Sequence, residues 1–453
     1  MARTPNLENV STRLQRIAEL AREDRKRVFV SLAHHIDIEL LREAYRLTRK
    51  DGAPGVDGLT AAAYAENLEE NLQSLLDRFK SGRYKAPPVR RVYIPKGSDP
   101  MKTRPIGVPT FEDKVLQRAV TMVLEAVYEQ DFLDCSYAFR PERSAHQAIG
   151  DLRKLLMEMG GGWVLEADIQ GYFENLDHTH LRDFLDQRVR DGVLRRAIDK
   201  WLKAGVLEEG ELSHPITGTP QGGVASPILS NIYLHKVLDE WFEEEVKPRL
   251  RGASHLLRFA DDFVLVFELE ADARRVLEVL PKRFGRYGLR LHPDKTRLVR
   301  FERPRSQAEP RETQPHEDDP RSFDFLGFTH YWERSRRGAW VVKRKTATDR
   351  FTRALRRINL WCRSNRHAPI QWQHEKLLKK LNGHRDYYGI TGNSRSLNSL
   401  LHWVKRIWRK WLSRRSRKSN LTWERFNLLL KRYPLPNLRA HRVASGTRSE
   451  AVT

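Results

Sequence analysis

The chain has 453 residues, 40% of them apolar, and a net charge of +23 at neutral pH. That length is too great for one core and implies two or three domains. No run approaches the roughly 18 uninterrupted apolar residues of a membrane span, and residues 1–27 show neither a signal h-region nor an acid-poor transit peptide, so a cytoplasmic protein is expected. Cys135 and Cys362 are too few for a disulfide framework and lack zinc-ligand spacing, which leaves them as small apolar residues.

In chain order, Val28 to Lys50 reads as helices, with Val30, Leu32, Ile36, Leu40, Leu41 and Tyr45 as the apolar positions, ending in a Gly55-Val56-Asp57-Gly58 turn. Two segments follow that hold cations among β-formers and prolines: Arg91-Val92-Tyr93-Ile94-Pro95-Lys96 and Lys102-Thr103-Arg104-Pro105-Ile106-Gly107. Gly160-Gly161-Gly162 is a turn before a strand, since neither the helix nor the Lys of a phosphate loop follows. The strand is Trp163-Val164-Leu165-Glu166-Ala167-Asp168-Ile169, which ends on a carboxylate and runs into Gly171-Tyr172-Phe173.

The most informative stretch is Arg258-Phe259-Ala260-Asp261-Asp262-Phe263-Val264-Leu265-Val266-Phe267. Its β-branched and aromatic runs flank two adjacent acids, which predicts a tight hairpin with Asp261 and Asp262 where the strands meet. An isolated Asp-Asp would be read as a plain hairpin turn. With Asp168 ending a second strand, three acids could converge, and their mutual repulsion calls for a cation. Oxygen ligands from strand ends suit Mg²⁺, which takes one or two carboxylates and completes its shell with water and phosphates.

Between these acids lies Thr219-Pro220-Gln221-Gly222-Gly223-Val224-Ala225-Ser226-Pro227. Taken in order with Asp168 before it and Phe259-Ala260-Asp261-Asp262 after it, this run resembles the reverse transcriptase motifs, and the chain is similar to group II intron reverse transcriptase/maturases over about nine tenths of its length. The resemblance implies an α+β right-hand polymerase, with fingers and palm built on antiparallel sheet and followed by an α-helical thumb/maturase domain. Residues 1–88 would form an N-terminal extension and the start of the fingers, 89–331 the fingers and palm with a loop insertion at 301–320, and 332–453 the thumb.

By the same resemblance, two Mg²⁺ ions would be held by Asp168, Asp261 and Asp262 with the carbonyl of Ile169 assisting. Lys96 and Arg104 would hold the triphosphate of a dNTP, Gln221 would touch its sugar, and Lys295 would stand near the pyrophosphate. Phe173, five residues after Asp168, would exclude a ribose 2′-hydroxyl; a core aromatic is the competing reading. The implied partners are an intron RNA and an RNA template/DNA primer duplex; a homodimer stays open. The implied function is RNA-directed DNA synthesis together with maturase-assisted splicing and copying of the intron into DNA, in a bacterial, nucleoid-associated setting. Alternatives are a domesticated enzyme of repair or defence and a non-catalytic RNA-binding splicing cofactor. Three departures from the pattern are Phe259 for the commoner Tyr, Glu174 for the commoner Asp, and the loop at 301–320. No Cys/His module follows Tyr433, which resembles the shorter intron proteins without an endonuclease.

Charge separates the parts. From Arg334 onward there are 31 Lys and Arg against 5 Asp and Glu, a net +26, while residues 1–333 carry 51 against 54. A polyanion-gripping C-terminal module is expected. Within it Leu400, Val404, Ile407, Trp408, Trp411 and Leu412 recur at helical spacing, interleaved with Lys405, Arg406, Arg409, Lys410, Arg414 and Arg415 as the RNA-facing cations. The tryptophans share the apolar stripe, which makes them core residues before stacking platforms.

Overall fold

The computed structural model describes residues 7–95, 103–208, 211–213, 218, 222–304, 321–416 and 420–438. The chain forms two compact units, one of residues 1–148 and 165–298 and one of residues 149–164 and 299–453. Helices are mixed with largely antiparallel sheets, an α+β organisation. The units are discontinuous in sequence. Residue 331 lies inside the strand Phe328–Arg334, whose pairing with Trp340–Thr346 leaves no break there.

In the first unit, the helix Phe111–Tyr128 is apolar on nearly every side and is buried accordingly. The Thr110 hydroxyl accepts from Asp113 N at 3.3 Å and fixes its start. Two sheets surround the functional residues. One has the strand order Thr103–Val108, Val89–Pro95, Val206–Glu208, Glu211–Ser213; the other runs Ser254–Phe259, Asp262–Phe267, Trp163–Asp168, Arg297–Arg300. The second is the sheet whose strands end on the acids. Its interior strands are mostly apolar apart from Glu166 and the acids at their ends, and Val164, Leu165, Val264, Leu265 and Val266 are almost wholly buried.

The N-terminal expectation needs correction. Residues 28–32 are not helical, and Val30 is 69% exposed. Phe29 N–H donates to Arg188 O at 2.7 Å and Arg190 N–H donates to Phe29 O at 2.8 Å, while the Asp191 carboxylate accepts from Leu32 and Ala33 N–H at 2.6 and 2.8 Å. These long-range partners outcompete a local helix. The helical stretch begins at Ile38, where Asp37 accepts from Leu40 N at 2.9 Å, and continues to Leu47. The turn at Gly55–Gly58 forms, with Gly58 at φ 68°.

In the second unit, Gly160, Gly161 and Gly162 have φ of 73°, 99° and 139°. A Cβ on Gly161 would meet Phe301 O at 2.1 Å, so only glycine permits this turn. A three-stranded meander, Ser322–Phe325, Phe328–Arg334 and Trp340–Thr346, precedes the helices Thr348–Ser364, Ile370–Tyr388, Ser394–Leu412 and Trp423–Arg432. Leu400, Val404, Trp408 and Leu412 are buried as the periodicity predicts, and Ile407 and Trp411 pack half-buried against them. The Trp408 indole N–H donates to Gln373 Oε1 at 2.9 Å, which satisfies its polar atom within the core. Cys362 is buried, Cys135 is half-buried, and neither is in a disulfide. Among the described residues no helix is long and apolar enough to cross a membrane.

Candidate active site

The two acids sit on a two-residue hairpin. Phe259 pairs with Asp262 as the last rung, so Ala260 and Asp261 form the loop. Ala260 has φ 57°, the positive value at the first loop position that primed hairpin turns demand. A non-glycine residue there costs about 1–2 kcal/mol, a strain retained only where the surroundings fix it.

The fixing group is Arg258, which is fully buried. All five of its N–H donors are used. Nε and one terminal nitrogen donate to the two oxygens of Asp239, each at 2.7 Å; the others reach Ser136 Oγ at 2.7 Å, Asn231 Oδ1 at 3.1 Å and the carbonyl of Ala260 at 3.2 Å. Asn231 belongs to the helix Ser226–Leu234, and Asp239 to the π-helical turn His235–Asp239 that extends it. Such widened turns occur mostly where function requires an altered register. Arg258 and Asp239 were not singled out by sequence. The available signal was an Arg set between the apolar Leu256, Leu257 and Phe259 of a strand, which has to bring a buried partner.

Asp168 ends its strand, and its carbonyl accepts from His292 N at 2.8 Å; Gln170 N donates to Arg290 O at 2.8 Å. This lacing brings the turn Pro293–Lys295 to the strand end, where the Lys295 ammonium pairs with Asp168 Oδ2. Burial pushes the Asp261 carboxyl up from its ordinary range, and the like charge of Asp168 pushes it further, against the pull of Arg104 and Lys295. Asp168, Asp261, Arg104 and Lys295 therefore share one electrostatic neighbourhood. Asp262 opens the second hairpin strand, half-buried, and Ile169 is buried beside Asp168, bridged to Leu291.

Among the described residues no three of His, Cys, Asp or Glu form a closed metal cage. The donor set nevertheless fits a hard cation: two carboxylates repel one another, one is held by an exposed ammonium, and Mg²⁺ needs only one or two carboxylates besides water and phosphate.

Lys96 and Gln221 lie outside the described residues. Their neighbours are informative. Arg104 is exposed on the strand Thr103–Val108, and Gly222 crosses that strand so closely that a Cβ would stand 2.6 Å from Gly107 O. Just beyond, Ala225 N donates to Gln117 Oε1 at 3.1 Å, and Gln117 Nε2 donates to Asp113 Oδ2 at 2.8 Å. Asp113 also receives the hydroxyl of Tyr84 and, at 2.9 Å, the indole N–H of Trp201; burial pushes its carboxyl up to about 6. This buried network holds the start of the helix that follows the Pro-Gln-Gly-Gly run.

Of the aromatic pair after Asp168, Tyr172 is the core residue, with its hydroxyl donating to Ser230 O at 2.9 Å. Phe173 packs edge-on against it at 5.2 Å and is only half-buried.

On the basic helix Ser394–Leu412 and just after it, the cations divide. Arg409 donates to Leu421 O at 2.7 Å and stacks over Trp423 at 4.3 Å, and Arg415 donates to Arg366 O and Ala368 O at 2.6 and 2.5 Å. Both serve the fold. Arg406, Lys410 and Arg414 are exposed, Lys405 is half-buried, and Arg406 lies over the exposed ring of Trp403 at 5.3 Å.

Residues 94–330 match the family model described as reverse transcriptase (RNA-dependent DNA polymerase). The chain is 36% identical over 343 residues to Protein YkfC of Escherichia coli (strain K12), covering 67% of this chain and 83% of that protein. It is 34% identical over 282 residues to the group II intron-encoded protein LtrA of Lactococcus lactis subsp. cremoris, covering 60% of this chain and 46% of LtrA. A shorter match, 27% over 181 residues, joins it to the mitochondrial nuclear intron maturase 2 of Arabidopsis thaliana.

Proposed function

Because the chain belongs to the reverse transcriptase (RNA-dependent DNA polymerase) family, we propose that Asp168 and Asp261 are the acids at which it extends a DNA primer along an RNA template. The observation that carries this reading is the convergence of the hairpin-borne Asp261, which feels Asp168, Arg104 and Lys295, with the strand-end Asp168, which pairs with Lys295. Two Mg²⁺ ions, held by Asp168 and Asp261 with Asp262 and the Ile169 carbonyl, would supply an activated 3′-hydroxyl and charge stabilisation on the departing pyrophosphate.

The protein's own residues do the rest. Arg104, with Lys96, offsets the charge of the incoming triphosphate, most of all as it builds on the leaving group. The Lys295 ammonium pairs with Asp168 and orients it until substrate arrives. In the right-hand description the hairpin sheet is the palm, the sheet bearing Arg104 belongs to the fingers, and the basic helices form the thumb. Phe173 closes the space where a 2′-hydroxyl would fit, which its half-exposed position next to a buried Tyr172 allows. Phe173→Ala is expected to admit ribonucleotides in single-nucleotide extension; unchanged discrimination between dNTP and rNTP would remove this role.

The chain also acts as a maturase on an intron RNA. Support comes from LtrA, a group II intron-encoded protein of which the chain spans about half, and from the one-signed C-terminal charge. A vestigial polymerase site on a pure RNA binder is disfavoured, because clustered acids repel a polyanion. Replacing Lys405, Arg406, Lys410 and Arg414 by Gln preserves helix propensity and stem packing. The slope of log affinity against log salt for the intron RNA should then flatten by up to about 0.7–0.9 per lost phosphate contact. A slope equal to that of the unchanged protein would move the RNA contact elsewhere.

A further inference from the structure

Phe139 combines two features that each carry a cost. Its ring is 51% exposed, and its backbone sits at φ 58°, where a bulky side chain is a genuine outlier. The chain on either side is fastened. Arg258 N donates to Cys135 O at 2.7 Å, Tyr137 N donates to Arg258 O at 3.0 Å, and the Ala138 carbonyl accepts from Asn231 Nδ2 at 2.8 Å. On the far side, the buried Arg140 guanidinium donates to Leu133 O and Ser136 O at 2.6 and 2.8 Å and clasps Glu129 at 2.7 Å. A glycine would meet these constraints without strain. Strained non-glycine residues on rigid supports cluster at ligand-contacting sites.

The support is shared with the acids. Asn231 holds Ala138 through its amide N–H and receives Arg258 on its amide oxygen, and Arg258 in turn holds Ala260 beside Asp261. The exposed ring is thus anchored to the catalytic hairpin through two side chains. What reaches that hairpin in a polymerase is a nucleic acid strand, and an aromatic face offered to a strand is used for base stacking.

We propose that Phe139 stacks on a nucleobase of the bound template–primer and holds that strand in register with Asp261. This rests on the polymerase reading above. Phe139→Gly relieves the positive φ and removes the ring. It should weaken template–primer affinity about 5- to 150-fold, the range for loss of one stacked base. Phe139→Leu keeps the strain and the apolar bulk but loses the ring, and should weaken binding similarly; Phe139→Trp should retain it. Single abasic sites stepped along the template, and separately along the primer, identify the strand. At the stacked position the abasic site should weaken wild-type binding yet add nothing to Phe139→Gly. Wild-type affinity in both the Gly and Leu variants would overturn the stacking role while wild-type extension continues. Failure of the wild type itself to bind and extend a primer on RNA would overturn the polymerase reading and this inference with it.

Discussion

Asp261→Asn and Asp168→Ala should each lower primer extension on an RNA template by at least about 10³-fold, the equivalent of about 4 kcal/mol of lost transition-state stabilisation. The two variants should part company in stability. The Asp261 carboxyl is raised by burial and by Asp168, so the stability it contributes is fully present below its unfolded value near 3.9 and is lost as pH rises through the folded value. Once ionised, its charge works against folding. Asp261→Asn should therefore leave the thermal midpoint at pH 7 unchanged or higher and remove part of its decline with pH. Asp168→Ala strips Lys295 of its partner, but that side chain is more than half exposed, so the cost should be small. Intron RNA affinity should survive in both. Extension near the wild-type rate by either variant would refute the assignment of the acids.

The largest stability effect is expected at Arg258. Arg258→Met leaves the Asp239 carboxylate buried at 0% exposure without its bidentate partner and should cost about 3–5 kcal/mol. A unit of this size would lose roughly 10 °C or more in its midpoint. Pairing it with Asp239→Leu removes the stranded charge, and apolar replacement of a buried ion pair is often neutral or stabilising. Stability should return in the double variant while extension does not, because the carbonyl of Ala260 remains unheld. Adding Ala260→Gly, which accepts φ 57° with little strain, should recover part of the rate. Full activity in the stable double variant would reduce the pair to a packing device.

The hairpin was legible because its signal is local: two strand-forming runs with two acids between them. The basic helix was legible for the same reason, since a 3.6-residue period reports its buried face directly. What sequence left hidden depends on distant partners. Residues 28–37 look helical but are drawn into extended and 3₁₀ structure by Arg188, Arg190 and Asp191, more than 150 positions away. The clamp on Ala260 needs Ser136, Asn231 and Asp239 from three separate stretches, and no spacing announces that they meet one guanidinium. Arg409 and Arg415 read as RNA-facing cations in the periodic pattern, yet carbonyls of Leu421, Arg366 and Ala368 occupy them.

Cation dependence of primer extension tests the central claim most directly. The whole chain, given an RNA template, an annealed DNA primer and dNTPs, should extend the primer in Mg²⁺ and stop when the ion is chelated. Asp261→Asn should stay inactive at every Mg²⁺ concentration that saturates the wild type. Extension that persists under chelation, or that Asp261→Asn sustains at high Mg²⁺, would contradict a site built from Asp168 and Asp261 to work with a divalent cation.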